Sequence, residues 1–230
     1  MTKHIGIVAG SAEGAALCYR TICTEAPSVM GEHNHPEITM SSVPLAAHMR
    51  HVRVHDWEGL AEMLVASARK VADAGADFAI CPDNTYHQSF DYVIPKSPIP
   101  WIHIAEAVGE EAQRLGFKRL GVMGTRYLTE GPVYPQALAK FRIEREIPDE
   151  DERIRINDII FNELVNGIFT EDSRLYFNEV MEKLKEKGCD AAVLGCTEIP
   201  LIVRPEAAPL PTLDSTRLLA RAALKRAVES

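Results

Sequence analysis

No stretch of this sequence is long and apolar enough to cross a bilayer. Met1-Thr2-Lys3-His4 leads straight into an apolar strand-like segment, without the long apolar core and small-residue cleavage site of a signal peptide. Both absences point to the cytoplasm. Positive charge is in short supply, with 25 Lys+Arg against 33 Asp+Glu and a net charge of −8. Nucleic acid and anionic membrane are therefore not expected partners, whereas a small anionic substrate in a locally positive site remains open. The five cysteines (Cys18, Cys23, Cys81, Cys189, Cys196) are odd in number and form no CxxC pair, which argues against a disulfide framework and a structural zinc site. Ala9-Gly10-Ser11-Ala12-Glu13-Gly14 lacks the first glycine of a dinucleotide fingerprint, and no matching ribose acid follows. No lysine stands in a pyridoxal-binding context. No cofactor is expected, and the chemistry falls to side chains. His48, His51 and His55, with His33 and His35 nearby, suggest a metal at first sight. Spacings of three and four align them on one helical face, yet no carboxylate or Cys pattern completes a ligand set, so no metal is expected.

Hydrophobic residues make up 46% of the chain, enough for a substantial core. They fall in short, β-branched runs at 5–8, 37–43, 78–81, 101–104, 120–123 and 191–194, which read as buried strands. Helical spacing of apolar residues fills 57–74, 106–115, 132–140, 152–166, 173–187 and 213–229, the last capped by Asp214 or Ser215. Such alternation predicts an α/β fold with mainly parallel sheets flanked by helices.

A weak internal repeat refines this. Ile5-Gly6-Ile7-Val8, ending in Ala9-Gly10-Ser11, resembles Leu120-Gly121-Val122-Met123, ending in Gly124-Thr125. The segment from Gly75 to Thr85 aligns without gaps on that from Gly188 to Glu198. The two offsets, 115 and 113 residues, nearly agree. Two similar α/β halves are predicted, with their strand ends meeting at a cleft, since ligands in such sheets bind beyond the carboxyl ends of strands.

The repeat places Asp83 and Cys196 at equivalent positions, one from each half. Facing a ligand from opposite sides, they could act as an acid–base pair, one abstracting a carbon-bound proton while the other delivers one. A thiol suits such work when nearby amides or a helix N-terminus lower its pKa. Asn84 and Thr85 follow Asp83, and Thr197 follows Cys196; with the adjacent amides they could bind a substrate carboxylate and stabilise an enediolate. Ser11 and Thr125, at the matched ends of the first strands, add two hydroxyls. Each element has a plainer reading. Asp83-Asn84 could be a turn or a helix cap, and Thr197 could cap the turn near Glu198.

The chain resembles the pyridoxal-independent aspartate/glutamate racemase superfamily over nearly its full length. The resemblance rests on residues 5–16, Pro82-Asp83-Asn84-Thr85-Tyr86-His87, Gly124-Thr125, Phe161-Asn162-Glu163-Leu164-Val165-Asn166-Gly167, Leu194 to Pro200, and Asp214-Ser215-Thr216. It implies two pseudo-symmetric α/β domains, here 1–97 with 212–230 and 98–211, with the active site in the cleft between them. It also implies a homodimer and an amino-acid substrate held between two catalytic residues. Several positions depart from the family pattern. Asp83 stands where the first catalytic cysteine is expected, Asn166 where aspartate-specific members carry lysine, and Leu219 where many carry histidine. Cys81, two residues before Asp83, lies too deep to replace the missing thiol. Arg50 and Arg53 fall in a region used for substrate contacts, and Arg50 is a candidate for a distal carboxylate.

The expected function is a cofactor-independent amino-acid racemase or epimerase using Asp83 and Cys196. A lyase, decarboxylase or cis–trans isomerase using Cys196 as its single thiol is the first alternative. A non-catalytic ligand-binding relative is the second.

Overall fold

The computed structural model describes residues 2–229. The chain divides into two compact units, Met1–Ala107 with Thr216–Ser230, and Val108–Ser215. In the first unit the order is β1 (Ile5–Ala9), α1 (Ala12–Glu25), α2 (Pro27–Met30), β2 (Ile38–Ser42), α3 (Leu45–Val52), α4 (Trp57–Asp73), β3 (Phe78–Ile80), α5 (Phe90–Val93) and β4 (Trp101–Ile102). Helix α6 (Ile104–Leu115) carries the chain into the second unit. There follow β5 (Arg119–Met123), α7 (Arg126–Thr129), α8 (Val133–Ala139), β6 (Glu144–Glu146), α9 (Glu150–Asn162), α10 (Glu171–Glu186), β7 (Ala191–Leu194), α11 (Ile199–Ile202) and β8 (Thr212–Asp214). The closing helix α12 (Ser215–Val228) packs Leu219, Ala220 and Ala223 into the core of the first unit, beside Ile5, Ile7, Ile22, Phe78 and Ile80.

Each unit holds one four-stranded sheet, ordered β2-β1-β3-β4 and β6-β5-β7-β8, with every neighbouring pair parallel. The two orders are the same topology twice. Buried helix faces cover apolar strands in both, as parallel sheets require. In the second unit Phe177, Met181 and Leu184 of α10 meet Ile156 and Ile160 of α9 over Met123 and Leu194.

The repeated Gly-x-Asp segments have a physical cause. Gly75 and Gly188 end α4 and α10 in the left-handed region, at φ 100° and 84°, where a Cβ is strained. Two residues later Asp77 accepts from the amide of His4 at 2.6 Å, and Asp190 accepts from Lys118 and Arg119 at 2.6 and 2.9 Å. Each aspartate thus ties the strand it precedes to the start of the unit's first strand. Structure and sequence reading part at the chain end. Residues 212–214 form β8 on β7, with Leu194 opposite Asp214, and the helix begins only at Ser215. Helix α1 escaped the reading because its buried face is Gly14, Ala15, Cys18, Thr21 and Ile22, too small and polar to make an apolar stripe. Among the described residues, no helix is long and apolar enough to cross a membrane.

Candidate active site

In each sheet the chain runs from its first strand to one side and then crosses to the other. The connection reverses between β1 and β3, and again between β5 and β7. A crevice forms beyond the carboxyl ends of strands at such a switch point, and open α/β sheets bind ligands there. The loops at these two points are the ones that the repeat aligned.

In the first unit, Asp83 follows β3 and its carboxylate faces the loop after β1. Oδ2 accepts from the Gly10 amide at 3.0 Å, and Ser11 N lies 3.3 and 3.4 Å from the two carboxylate oxygens. Such donors suit an ionised carboxylate. The geometry has a cause in the sequence. At the matching place in the second unit, Gly195 N donates to Met123 O at 2.8 Å. The first unit has Pro82 there, which has no N–H to give. Ser11 has a second task, since its Oγ accepts from Gly14 N at 3.1 Å and caps α1. Asn84 opens a short 3₁₀ helix, Asn84–Ser89, and is buried, while Asp83 and Thr85 keep partial exposure.

His87 anchors this loop from below. Its Nε2 donates to Cys81 O at 3.0 Å, while its ring stacks on Phe90 at 3.9 Å and meets His103 edge-on at 4.4 Å. Burial, and then His103, hold the imidazole well below its ordinary pKa, so it stays neutral. The Cys81 thiol is fully buried and pushed well up, by burial first and by the Asp83 charge second. It is therefore a packed thiol rather than a reactive one.

In the second unit, Cys196 follows β7 and is half-buried, between Gly195 and the buried pair Thr197 and Glu198. Its Sγ donates to Glu198 Oε2 at 2.9 Å. The strand end is rigidly held: Ser215 Oγ donates to Leu194 O at 2.9 Å, and a Cβ on Gly195 would stand 2.8 Å from Met123 O. Thr125, half-buried at the end of β5, precedes α7 and accepts at its carbonyl from the amides of Leu128 and Thr129, both at 3.0 Å. Glu198, which the sequence analysis read only as part of a turn, is the carboxylate that this thiol meets. A carboxylate two places after a turn thiol was the available signal.

The remaining candidates fall as follows. Arg50 is exposed on α3, whose buried residues are His48 and Val52. Asn166 donates to Phe161 O and Asn162 O at 3.1 and 3.2 Å, closing the carbonyl end of α9. Leu219 is fully buried. His51 pairs with Asp56 at 2.7 Å, and His55 stacks on Trp57. His48 is fully buried, and neither ring nitrogen has a hydrogen-bond partner. Among the described residues, no group of three or more His, Cys, Asp or Glu is placed to hold a metal ion.

Two four-stranded parallel sheets of one strand order, with Asp83 after the switch-point strand of the first and Cys196 after that of the second, define a two-unit α/β protein. The chain belongs to the Asp/Glu/Hydantoin racemase family, whose sequence pattern matches residues 7–223. A Yersinia pestis protein described as a candidate Asp/Glu racemase has the same fold at a TM-score of 0.90, with 31% identity, over 99% of this chain and 100% of that one. The broad specificity amino-acid racemase RacX of Bacillus subtilis is 20% identical over 86% of this chain and 85% of its own length. Glutamate racemase 3 of Caldanaerobacter subterraneus is 32% identical over 37% of this chain, a match spanning only 30% of that protein.

Proposed function

We propose that this protein is a cofactor-independent amino-acid racemase or epimerase in which Asp83 and Cys196 are the acid–base pair, one on each face of the substrate Cα. The observation that carries the proposal is the doubled topology. Each sheet ends its switch-point strand in a partly exposed group able to hold a proton, within otherwise buried neighbours. Asp83 acts as a carboxylate supported by the Gly10 and Ser11 amides and removes the α-hydrogen as a proton. The electron pair passes into the substrate carboxylate as an enediolate, and the Cys196 thiol returns a proton on the other face. Asn84, Thr85, Thr125, Thr197 and Ser11 supply hydroxyl, amide and backbone donors to that carboxylate. Arg50 serves a distal carboxylate where the substrate has one. The partner is a small carboxylated amino acid, and the assembly is a homodimer.

The two groups are unlike, so kcat and KM each differ between enantiomers. Their ratio is the same in both directions, because the enantiomers are equal in free energy. That same inequality, a carboxylate tied to two backbone amides opposite a single thiol, favours a lyase or decarboxylase as the second reading. The experiment is a panel of L- and D-amino acids incubated in deuterium oxide and followed by chiral chromatography and mass spectrometry. Inversion with one deuteron gained at Cα supports racemisation. A fragment mass, such as loss of carbon dioxide, supports the second reading instead. No exchange with any member of the panel overturns the racemase reading.

A further inference from the structure

One turn grips Gly10 in two ways. Its amide donates to Asp83 Oδ2 at 3.0 Å, and a Cβ on its α-carbon would stand 2.5 Å from both Cε2 and the hydroxyl oxygen of Tyr86. Only glycine admits a ring so close. Tyr86 is 3% exposed and cannot swing clear, because its backbone is bound into the Asp83 turn. Tyr86 N donates to Asp83 O at 3.2 Å, and Tyr86 O accepts from Ser89 Oγ at 2.7 Å. Against the ring stands His48 of α3, fully buried, with the ring centroids 4.8 Å apart and the planes at 32°. Neither His48 nitrogen has a hydrogen-bond partner, so an aliphatic filler would cost the fold less. What an aliphatic side chain lacks is a flat face to hold the tyrosine. In the second unit the matched residues are Thr125 and Ile199, so the pairing of glycine with an aromatic ring belongs to the first unit.

We propose that Tyr86, braced by His48, is a positioning residue: its ring holds the Gly10 backbone in place, and the Gly10 amide in turn fixes the line along which Asp83 meets the substrate Cα. This rests on the racemase reading and adds to it two residues that act through Gly10 rather than on the substrate. The argument is one of orientation. Proton transfer at carbon needs the base aligned with the breaking bond, and a misplacement of about 1 Å can cost about 100-fold in rate. Ser11 N, at 3.3 and 3.4 Å from the two carboxylate oxygens, is a looser hold than Gly10 N at 3.0 Å. The Gly10 bond therefore sets the angle of the carboxylate. Helix α3 buries only His48 and Val52, so the stacked rings are its link to the turn that carries Asp83. The fold keeps a costly imidazole in its interior for the sake of the site, a trade of stability for activity.

Two measurements test this. Tyr86→Leu removes the flat ring, and kcat should fall by about 10- to 100-fold with KM within about threefold, because orientation is lost and substrate binding is not. Tyr86→Phe keeps the ring and should retain kcat within about threefold. His48→Leu should lose about tenfold or more in kcat while melting no lower than the parent, an outcome that a merely structural role does not produce. His48→Phe, which restores a flat face, should recover the rate. The second measurement needs no turnover. The Gly10 amide proton, followed by NMR, should move to lower chemical shift in both leucine variants as its bond to the carboxylate lengthens, and should hold its place in Tyr86→Phe. Unchanged kcat in Tyr86→Leu, or an unmoved Gly10 amide, overturns the proposal. Losses in the phenylalanine variants equal to those in the leucine variants also overturn it, by assigning the effect to the hydroxyl or to the ring nitrogens. Should Tyr86→Leu fail to fold, His48→Leu decides by the same two readouts. Should the parent exchange no amino acid at all, the racemase reading fails while the Gly10 amide still decides whether Tyr86 sets the loop.

Discussion

Replacing His48 with leucine should stabilise the protein, and by more in acid than near neutrality. His48 is fully buried on α3, with its ring 4.8 Å from that of Tyr86, and neither nitrogen is hydrogen-bonded. Burial, with a smaller contribution from His51, lowers its pKa from 6.5 to about 4. The unfolded chain therefore binds a proton near the ordinary histidine value, while the folded protein refuses it until far more acid conditions. Stability is fully present above the unfolded value and drains away as pH falls towards the folded one. Between about pH 7.5 and about pH 5 the loss from this one group is about 2 kcal/mol. A leucine of similar size does not titrate, and it removes two unsatisfied nitrogens that cost about 1–3 kcal/mol in the folded state. Urea unfolding of the parent and His48→Leu at both pH values measures the gap between them. It should widen by about 2 kcal/mol at the lower pH, or roughly 4–8 °C in Tm for a chain of this size. An equal gap at the two pH values would refute the reasoning, since it would mean that the buried imidazole takes its proton as readily as a free one.

Three other substitutions probe the strand ends. Asp83→Asn leaves an oxygen for the Gly10 and Ser11 amides, so the fold should persist while α-proton exchange falls by about 10²–10⁴; circular dichroism and deuterium wash-in separate the two effects. Cys196→Ser should keep the melting temperature within a few degrees and abolish inversion, read by chiral chromatography. Gly195→Ala sets a Cβ 2.8 Å from Met123 O, a backbone atom that cannot step aside cheaply. It should destabilise the protein by about 2 kcal/mol or more in urea titration.

Much of the fold was legible because the two units obey one local rule twice. The Gly-x-Asp segments, the strand runs after them and the offset between halves are all visible in the letters, and the sheets repeat one strand order. Other elements lack a periodic apolar signature. Strand β8 is three residues caught between Pro211 and Ser215, recognisable only by its pairing with β7. Strand β6, Glu144-Arg145-Glu146, is wholly charged and exists because it pairs with β5 at the sheet edge. At the site, the loops were legible from the repeat, but their internal bonds were not. That Asp83 would be held by Gly10 and Ser11 follows from a proline that cannot donate at position 82. That Cys196 would turn onto Glu198 follows from the tightness of one turn. Neither consequence is written in composition or spacing.

The most direct test of the account is the fate of the α-hydrogen. Incubating the protein with single enantiomers of amino acids in deuterium oxide, and reading both configuration and mass, asks whether a carbon-bound proton is moved between faces. The account predicts that at least one amino acid is inverted with one solvent deuteron at Cα, and that Asp83→Asn and Cys196→Ser each stop it. Inversion that survives loss of either side chain would contradict the proposed pair.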